Sequence, residues 1–191
     1  AVTDAASRVQ EGRRQAREVT RVGSRSFYWA SFALEPERRA AAYAVYAFFR
    51  GADDAADEAS SAREGQTRLE RMRAVLARVY GRAPEAPLEW ALAESVERFG
   101  IPRGPIEELL KAVEGDLGRV RVATYEELDR YCYGVASTVG LAMAPLLGAP
   151  SGFEQEAAAL GRAMQLTNIL RDVQADLLQL DRIYLPAEAM A

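Results

Sequence analysis

With 191 residues, 49% hydrophobic and 27% charged, the chain is long enough to bury one sizeable core and too apolar to remain disordered. Its net charge of −4, from 28 acidic residues scattered among 24 basic ones, leaves no basic stripe for nucleic acid. A single cysteine, Cys132, and the lack of any histidine exclude an internal disulfide, a Cys/His zinc site and every His-dependent triad, so chemistry must rest on Asp, Glu, Arg, Lys, Tyr, Ser and Asn.

Helical periodicity runs through nearly the whole chain, with no alternating strand pattern, tandem repeat or low-complexity tract, so the fold is expected to be all-α, as one domain over residues 1–191. A first helix is expected from about Ala5 to Val22, then the segment SRSFYW, then a long helix that opens after Pro36 and continues through Ala59. Gln66 to Tyr80 repeats Leu69, Met72, Leu76 and Val79 at amphipathic spacing and stops at Gly81. Helices follow from Leu88 to Phe99 and from Gly104 to Asp116, joined by a Gly-Pro link too short to separate domains. Thr124-x-x-Glu127 and Ser151-x-x-Glu154 read as capping boxes that open the last two long helices. The N-terminal stretch has no apolar signal core, and the longest weakly polar run, Tyr133 to Ala149, is broken by Ser137, Thr138, Pro145 and glycines. A cytoplasmic protein is expected.

Two acidic motifs stand out. In Asp53-Asp54-x-x-Asp57 and in Asp172-x-x-x-Asp176 the four-residue spacing puts two carboxylates on one helical face, where uncompensated like charges cost roughly 0.2–0.5 kcal/mol per pair and more when partly buried. A bound cation relieves that repulsion; a solvated acidic face is the alternative. Tyr43, Val45, Tyr46, Phe48 and Phe49 just before the first motif mark a buried helix and favour the cation. Asn168, Asp172 and Asp176 extend the second motif to an oxygen stripe at i, i+4 and i+8, with the planar cation Arg171 beside it. An oxygen-only donor set favours Mg²⁺ over zinc, and Mg²⁺ commonly combines a few carboxylates with substrate phosphate oxygens. Arg50 shares the side of Asp53, while Ser24, Arg25 and Ser26 offer phosphate donors near a helix start, with simple capping as their alternative role.

Three segments, GSRSFYWASFALEPERRAAAYAVYAFFRGADDAADE, TYEELDRYCYGVASTVG and LGRAMQLTNILRDVQADLLQLDRIYLP, resemble the squalene/phytoene synthase family and cover about two fifths of the chain in the order that family uses. The resemblance implies a helical isoprenoid-synthase bundle around a central apolar cavity. It assigns metal binding to Asp53, Asp57, Asn168, Asp172 and Asp176, and diphosphate contact to Ser24, Arg25, Ser26, Tyr46, Arg50, Gln165 and Arg171, with Arg182 and Tyr184 as weaker candidates. Catalysis would then fall to the four motif aspartates with Tyr46 and Arg50. Phe27, Tyr131, Val135, Val139 and Leu141 are candidates for the cavity lining; for the residues on the Tyr131 helical face, ordinary core packing is the alternative. Gly134 and Gly140 would thin that helix to admit a polyprenyl tail.

The implied reaction is a Mg²⁺-dependent (or Mn²⁺-dependent) head-to-head condensation of two allylic isoprenyl diphosphates through a cyclopropylcarbinyl diphosphate, with two geranylgeranyl diphosphates giving phytoene. The alternatives are a C15-using enzyme that makes presqualene diphosphate, squalene or dehydrosqualene, with NADPH needed only for squalene, and a non-catalytic helical relative serving assembly or lipid binding. The substrates imply peripheral membrane contact. Departures from the family pattern are Gly23 in place of a histidine, Ser137 in place of a glycine in VAGTVG, and Asp181 in place of a glycine before Arg182. Family members continue through further helices after RIYLP, so a bundle lacking its C-terminal helices is expected.

Overall fold

The computed structural model describes residues 2–189; Ala1, Met190 and Ala191 of the expected 1–191 unit lie outside the described residues. The chain runs α1 (Val2–Gly23), α2 (Arg25–Ala30), a 3₁₀ turn (Ser31–Ala33), α3 (Pro36–Asp57), α4 (Ala62–Tyr80), α5 (Pro87–Phe99) and α6 (Arg103–Glu114). After β1 (Val120–Arg121) come α7 (Tyr125–Cys132), a π-helical turn (Tyr133–Ser137), α8 (Thr138–Leu147), α9 (Glu154–Leu180), β2 (Arg182–Ile183) and a short 3₁₀ turn (Ala187–Ala189).

Boundaries follow local chemistry. Pro36 and Pro87 open α3 and α5, where their missing N–H costs nothing, and Gly100, at φ 65°, closes α5. Ser61 caps α4 by accepting the Glu64 N–H at 3.2 Å, and Glu64 reaches back to the Ser60 N–H at 2.9 Å. Ser61→Ala is expected to lower stability by about 1 kcal/mol, read from the urea midpoint at unchanged slope; an unmoved midpoint would show that this cap contributes nothing.

The Thr124 box forms as expected, its hydroxyl accepting the Glu127 N–H at 3.2 Å. The Ser151 box does not. Gly152 adopts φ 95°, Ser151 lies in a turn, and α9 starts two residues later than that box requires, at Glu154, with no side-chain cap. The two strands also escape the sequence reading: they pair in parallel over two residues each, Val120 with Arg182 and Arg121 with Ile183, too short for any periodicity.

α3 is the central helix. Alanines at 41, 42, 44, 52, 55 and 56, with Tyr43, Val45, Phe48 and Phe49, bury most of its circumference, and α1, α4, α5, α6 and α8 pack around it. The main core joins these α3 residues to Leu69, Leu76, Leu92, Ile106, Leu109, Leu110 and Leu146. A smaller core gathers Val122, Leu128, Cys132, Ile169 and Tyr184 beneath α7, α9 and β2.

Gly134 and Gly140 do not make room for a ligand. A Cβ on Gly134 would lie 2.5 Å from the Ala112 Cβ, and one on Gly140 2.4 Å from the Ala157 carbonyl, so both let helices close on each other. Ser137 is fully buried and donates to the Ala158 carbonyl at 2.7 Å, tying the π-helical turn to α9. α9 has an inner face on this turn and an outer apolar face on which Leu160, Met164, Leu170 and Leu178 are more than half exposed.

Candidate active site

The two cores leave a cavity of about 390 Å³ between α3 and α6 on one side and α9 and β2 on the other. From α3, Arg50, Asp53 and Asp57 line it at i, i+3 and i+7; from α9, Gln165, Asn168, Arg171, Asp172 and Asp176 face them. Tyr131 and Val135 come from α7 and the π-helical turn, and Arg182 and Tyr184 from β2 and the residue after it. The walls are polar; Ala56, Val113, Val135, Ile169 and Leu180 supply the apolar surface. A second, smaller cavity of about 140 Å³, lined mainly by Val173, Leu177, Ile183 and Leu185, shares Ile169, Asp176, Arg182 and Tyr184 with the first.

Arginines hold part of this carboxylate array. Arg182 is buried and donates through Nη1 to Asp57 Oδ1 at 2.7 Å and through Nη2 to the Asp116 carbonyl at 3.0 Å; its Nε is buried with no hydrogen-bond partner. Arg171 donates through Nε to Asp172 Oδ1 at 2.8 Å, which keeps the Asp172 carboxyl below the usual carboxylate range. Arg50 pairs at 2.7 Å with Asp54, not with Asp53.

Among the described residues Asp53 and Asp176 have no ion-pair partner, and both are pushed toward the neutral form. Asp53 lines the open cavity and is solvent-exposed there, with protein packed around the rest of the group. Enclosure by protein, followed by the like charge of Asp57, raises it to about 7. Enclosure and then Asp172 raise Asp176.

Asp116, which the sequence reading passed over, belongs to the same array. It is buried just beyond α6, accepts from the Tyr131 hydroxyl at 3.1 Å, and is raised to about 6 by burial against the opposing pull of Arg182 and Tyr131. Tyr131 and Tyr184 stack with ring centres 4.6 Å apart. The available signal was an aspartate set among Gly115, Leu117 and Gly118 immediately after an apolar helix.

The remaining candidates sit elsewhere. Ser24 caps α2, accepting the Phe27 N–H at 3.3 Å, with Ser26 Oγ 3.4 Å away, and Arg25 is exposed. None of the three lines the cavity. Phe27 stacks on Tyr46 at 5.3 Å and packs against the main core, as does Val139; Tyr46 lies one turn before Arg50 on α3. Leu141, half-buried in α8, is not among the cavity residues either.

The donors fit Mg²⁺ in kind, being all oxygen, and Asp53 and Asp176 are carboxyl groups without an ion-pair partner among the described residues. Among the described residues no three Asp, Glu or Cys side chains are grouped closely enough to hold an ion by themselves. That arrangement suits an ion whose remaining ligands are water and substrate phosphate oxygens.

Comparison with known proteins fits this geometry. The family model for squalene/phytoene synthase matches residues 20–191. Phytoene synthase of Thermus thermophilus is 45% identical over 90% of the chain, and 15-cis-phytoene synthase of Synechocystis 35% identical over 94%. The chain spans 58% and 57% of the length of those two proteins. A dehydrosqualene synthase crystal structure superposes with a TM-score of 0.88 at 35% identity, covering 97% of this chain and 65% of that one. Squalene synthase HpnC from Alicyclobacillus acidocaldarius superposes at 0.86 and 27% identity, covering 94% and 68%. The helical bundle thus has the squalene synthase fold, an all-α class. The chain belongs to the squalene/phytoene synthase family, the head-to-head isoprenoid synthases.

Proposed function

We propose that this chain carries the diphosphate-handling half of a Mg²⁺-dependent synthase that joins two geranylgeranyl diphosphates head to head to give phytoene. The observation that carries the reading is the convergence of the α3 and α9 carboxylates on opposite walls of one cavity, with buried Arg182 between them. Asp53, Asp57, Asn168, Asp172 and Asp176 would hold the metal, which when bound supplies positive charge to the departing diphosphate.

The protein's own residues do the rest. Arg182 and Arg171, paired with Asp57 and Asp172 of the proposed metal set, can turn to phosphate oxygens once those carboxylates bind cations; Arg50, paired with Asp54, lines the same cavity, and the Nε of Arg182 is a donor with no protein partner. The stacked Tyr131 and Tyr184 fix one wall, the Tyr131 hydroxyl being anchored on Asp116. Val113, Val135 and Ile169 provide apolar surface that keeps water from a carbocation.

The geranylgeranyl preference is supported by relatives named phytoene synthase at 33–45% identity. Farnesyl diphosphate is the second reading, favoured by the likeness to structures of dehydrosqualene and squalene synthases. Incubation with each diphosphate and Mg²⁺, with and without NADPH, separates them. A C40 product is expected from geranylgeranyl diphosphate; C30 products alone would replace this reading by the second.

Binding should depend on pH. A metal needs the ionised Asp53 carboxylate, and this group is raised to about 7, so Mg²⁺-dependent affinity for a non-hydrolysable thiodiphosphate analogue should rise as pH increases through 7. Calorimetry should show roughly tenfold weaker binding one unit below that value. A flat profile would remove Asp53 from the metal set.

A further inference from the structure

At the N-terminal end of α3, away from the acidic cavity at its C-terminal end, α1 and the start of α3 form a second cleft of about 380 Å³, lined by Arg13, Arg14, Arg17 and Arg39 against a single carboxylate, Glu37. Phe32 stands at its rim, and a shallower cleft continues from Arg14 and Arg17 to Arg21. Arg13 is committed to Glu37 and Glu94 at 2.7 and 2.6 Å, Arg14 to Glu11, and Arg21 to Glu18. Arg17 and Arg39 are not so committed. Arg17 meets only the Tyr28 hydroxyl, at 2.9 Å, and Arg39 lies 4.7 Å over the Phe32 ring. Among the described residues neither has a carboxylate partner, nor has the exposed Arg25 of α2.

Beside these cations are two large exposed aromatics, Trp29 at 67% and Phe32 at 48%, stacked on each other at 5.6 Å. The opposing charges on this face are Glu35, exposed in the same turn, Glu37 in the cleft and Glu18 beside Arg17. We propose that this arginine and aromatic face of α1, α2 and the α3 start docks on an anionic lipid bilayer. Guanidinium groups without carboxylates suit lipid phosphates, and Trp and Phe rings suit the boundary between headgroups and acyl chains.

The acidic protein as a whole, at −4, is repelled by such a surface, so only a local face of opposite sign can bring it there. The outer face of α9 is the more apolar surface but does not offer that sign, since α9 carries four carboxylates and two arginines. The choice of a bilayer over an acidic protein rests in part on the isoprenyl diphosphate reading, whose substrates partition into membranes. Among the described residues no helix is long and apolar enough to cross a membrane, which leaves surface docking as the mode to test.

Flotation with vesicles of equal parts phosphatidylcholine and phosphatidylglycerol, free of isoprenoids and Mg²⁺, tests the face independently of diphosphate binding. Binding is expected to these vesicles, not to phosphatidylcholine alone, and to be released by salt. The double variants Arg17→Glu/Arg39→Glu and Trp29→Ser/Phe32→Ser should each lose roughly tenfold or more in partitioning, with unchanged circular dichroism; Leu170→Ser/Leu178→Ser on α9 should lose nothing.

As a check that needs no disruptive variant, Trp90→Phe leaves Trp29 as the sole tryptophan, and the replaced indole N–H had no hydrogen-bond partner. Its emission should shift to the blue on vesicles and be quenched by brominated lipid. No vesicle binding, binding that ignores lipid charge, loss only in the α9 variant, or an unshifted Trp29 each overturns the proposal. Loss of thiodiphosphate binding with vesicle binding intact, or the reverse, shows which of the two readings has failed.

Discussion

Asp53→Asn and Asp172→Asn are expected to remove the Mg²⁺ dependence of thiodiphosphate binding, with affinity falling by roughly 100-fold, at least the upper end of what losing an outer partner of a metal ligand costs. The two variants take one donor from each wall of the cavity, and neither wall supplies a complete set alone. Stability should move the other way for Asp53→Asn. The folded Asp53 carboxyl titrates at about 7 against 3.8 for the free group. Between those values the folded state holds a proton the unfolded state has lost, so metal-free stability falls as pH rises over that window and stays lost above it.

Asparagine does not titrate. Above pH 7, without metal, Asp53→Asn should therefore melt higher than the parent protein, by ~2–4 °C for about 1 kcal/mol, a figure held below the full shift because cavity water screens the group. Below the ordinary carboxylate range the difference should vanish. Weaker binding together with a lower melting point at high pH would mean a damaged fold and would count against the metal assignment.

Gly161→Ala is expected to cost about 2–4 kcal/mol in denaturant unfolding. An added Cβ would lie 2.3 Å from the Ala136 carbonyl oxygen and 3.0 Å from the Ser137 Cα, both backbone atoms of the π-helical turn that cannot rotate away. Overpacking of this kind costs about 1–3 kcal/mol, and pushing α9 outward also strains the buried Ser137 to Ala158 bond, worth about 1 kcal/mol more. Gly161 lies on α9 four residues before Gln165 and so sets how near Asn168, Asp172 and Asp176 come to α3. The folded fraction of the variant should accordingly bind the thiodiphosphate more weakly. Parental stability with parental binding would show that the close approach has no role.

Much of this was legible in the chain itself. The all-α fold and the expected helices follow from sustained 3.6-residue periodicity, with Pro36, Gly81, Gly100 and Thr124 marking ends by local backbone chemistry. The facing stripes of α3 and α9 were legible because helical spacing alone puts Asp53 with Asp57 and Asn168 with Asp172 and Asp176 on common faces, and all five line the cavity. What escaped depends on contacts between distant segments. A two-residue strand pair has no period, a π-helical turn has no composition of its own, and Asp116 joins the site only because Tyr131 and Arg182 converge on it.

Other readings changed because a local signal had two uses. Ser151 has the right spacing for a cap, yet Gly152 turns the chain first. Ser24 is an N-cap whether or not a phosphate is near. The aspartate at 181, where family members favour glycine, occupies a left-handed cap position at φ 51°; aspartate tolerates that conformation better than most residues, and here its carboxylate bonds Arg121.

The Arg182 contact with Asp57 joins residues 125 positions apart in the chain. Local helices and the packing of α3 on α4 and α5 draw on segments much closer in sequence, whereas this contact pays the entropy of closing a long loop before any bond repays it. The cavity is therefore expected to close after α3 has packed on α4 and α5, when β2 pairs with β1 and brings Arg182 to Asp57 and the Asp116 carbonyl. A molecule with its main core formed but β2 not yet docked would have its helices in place and no enclosed diphosphate site.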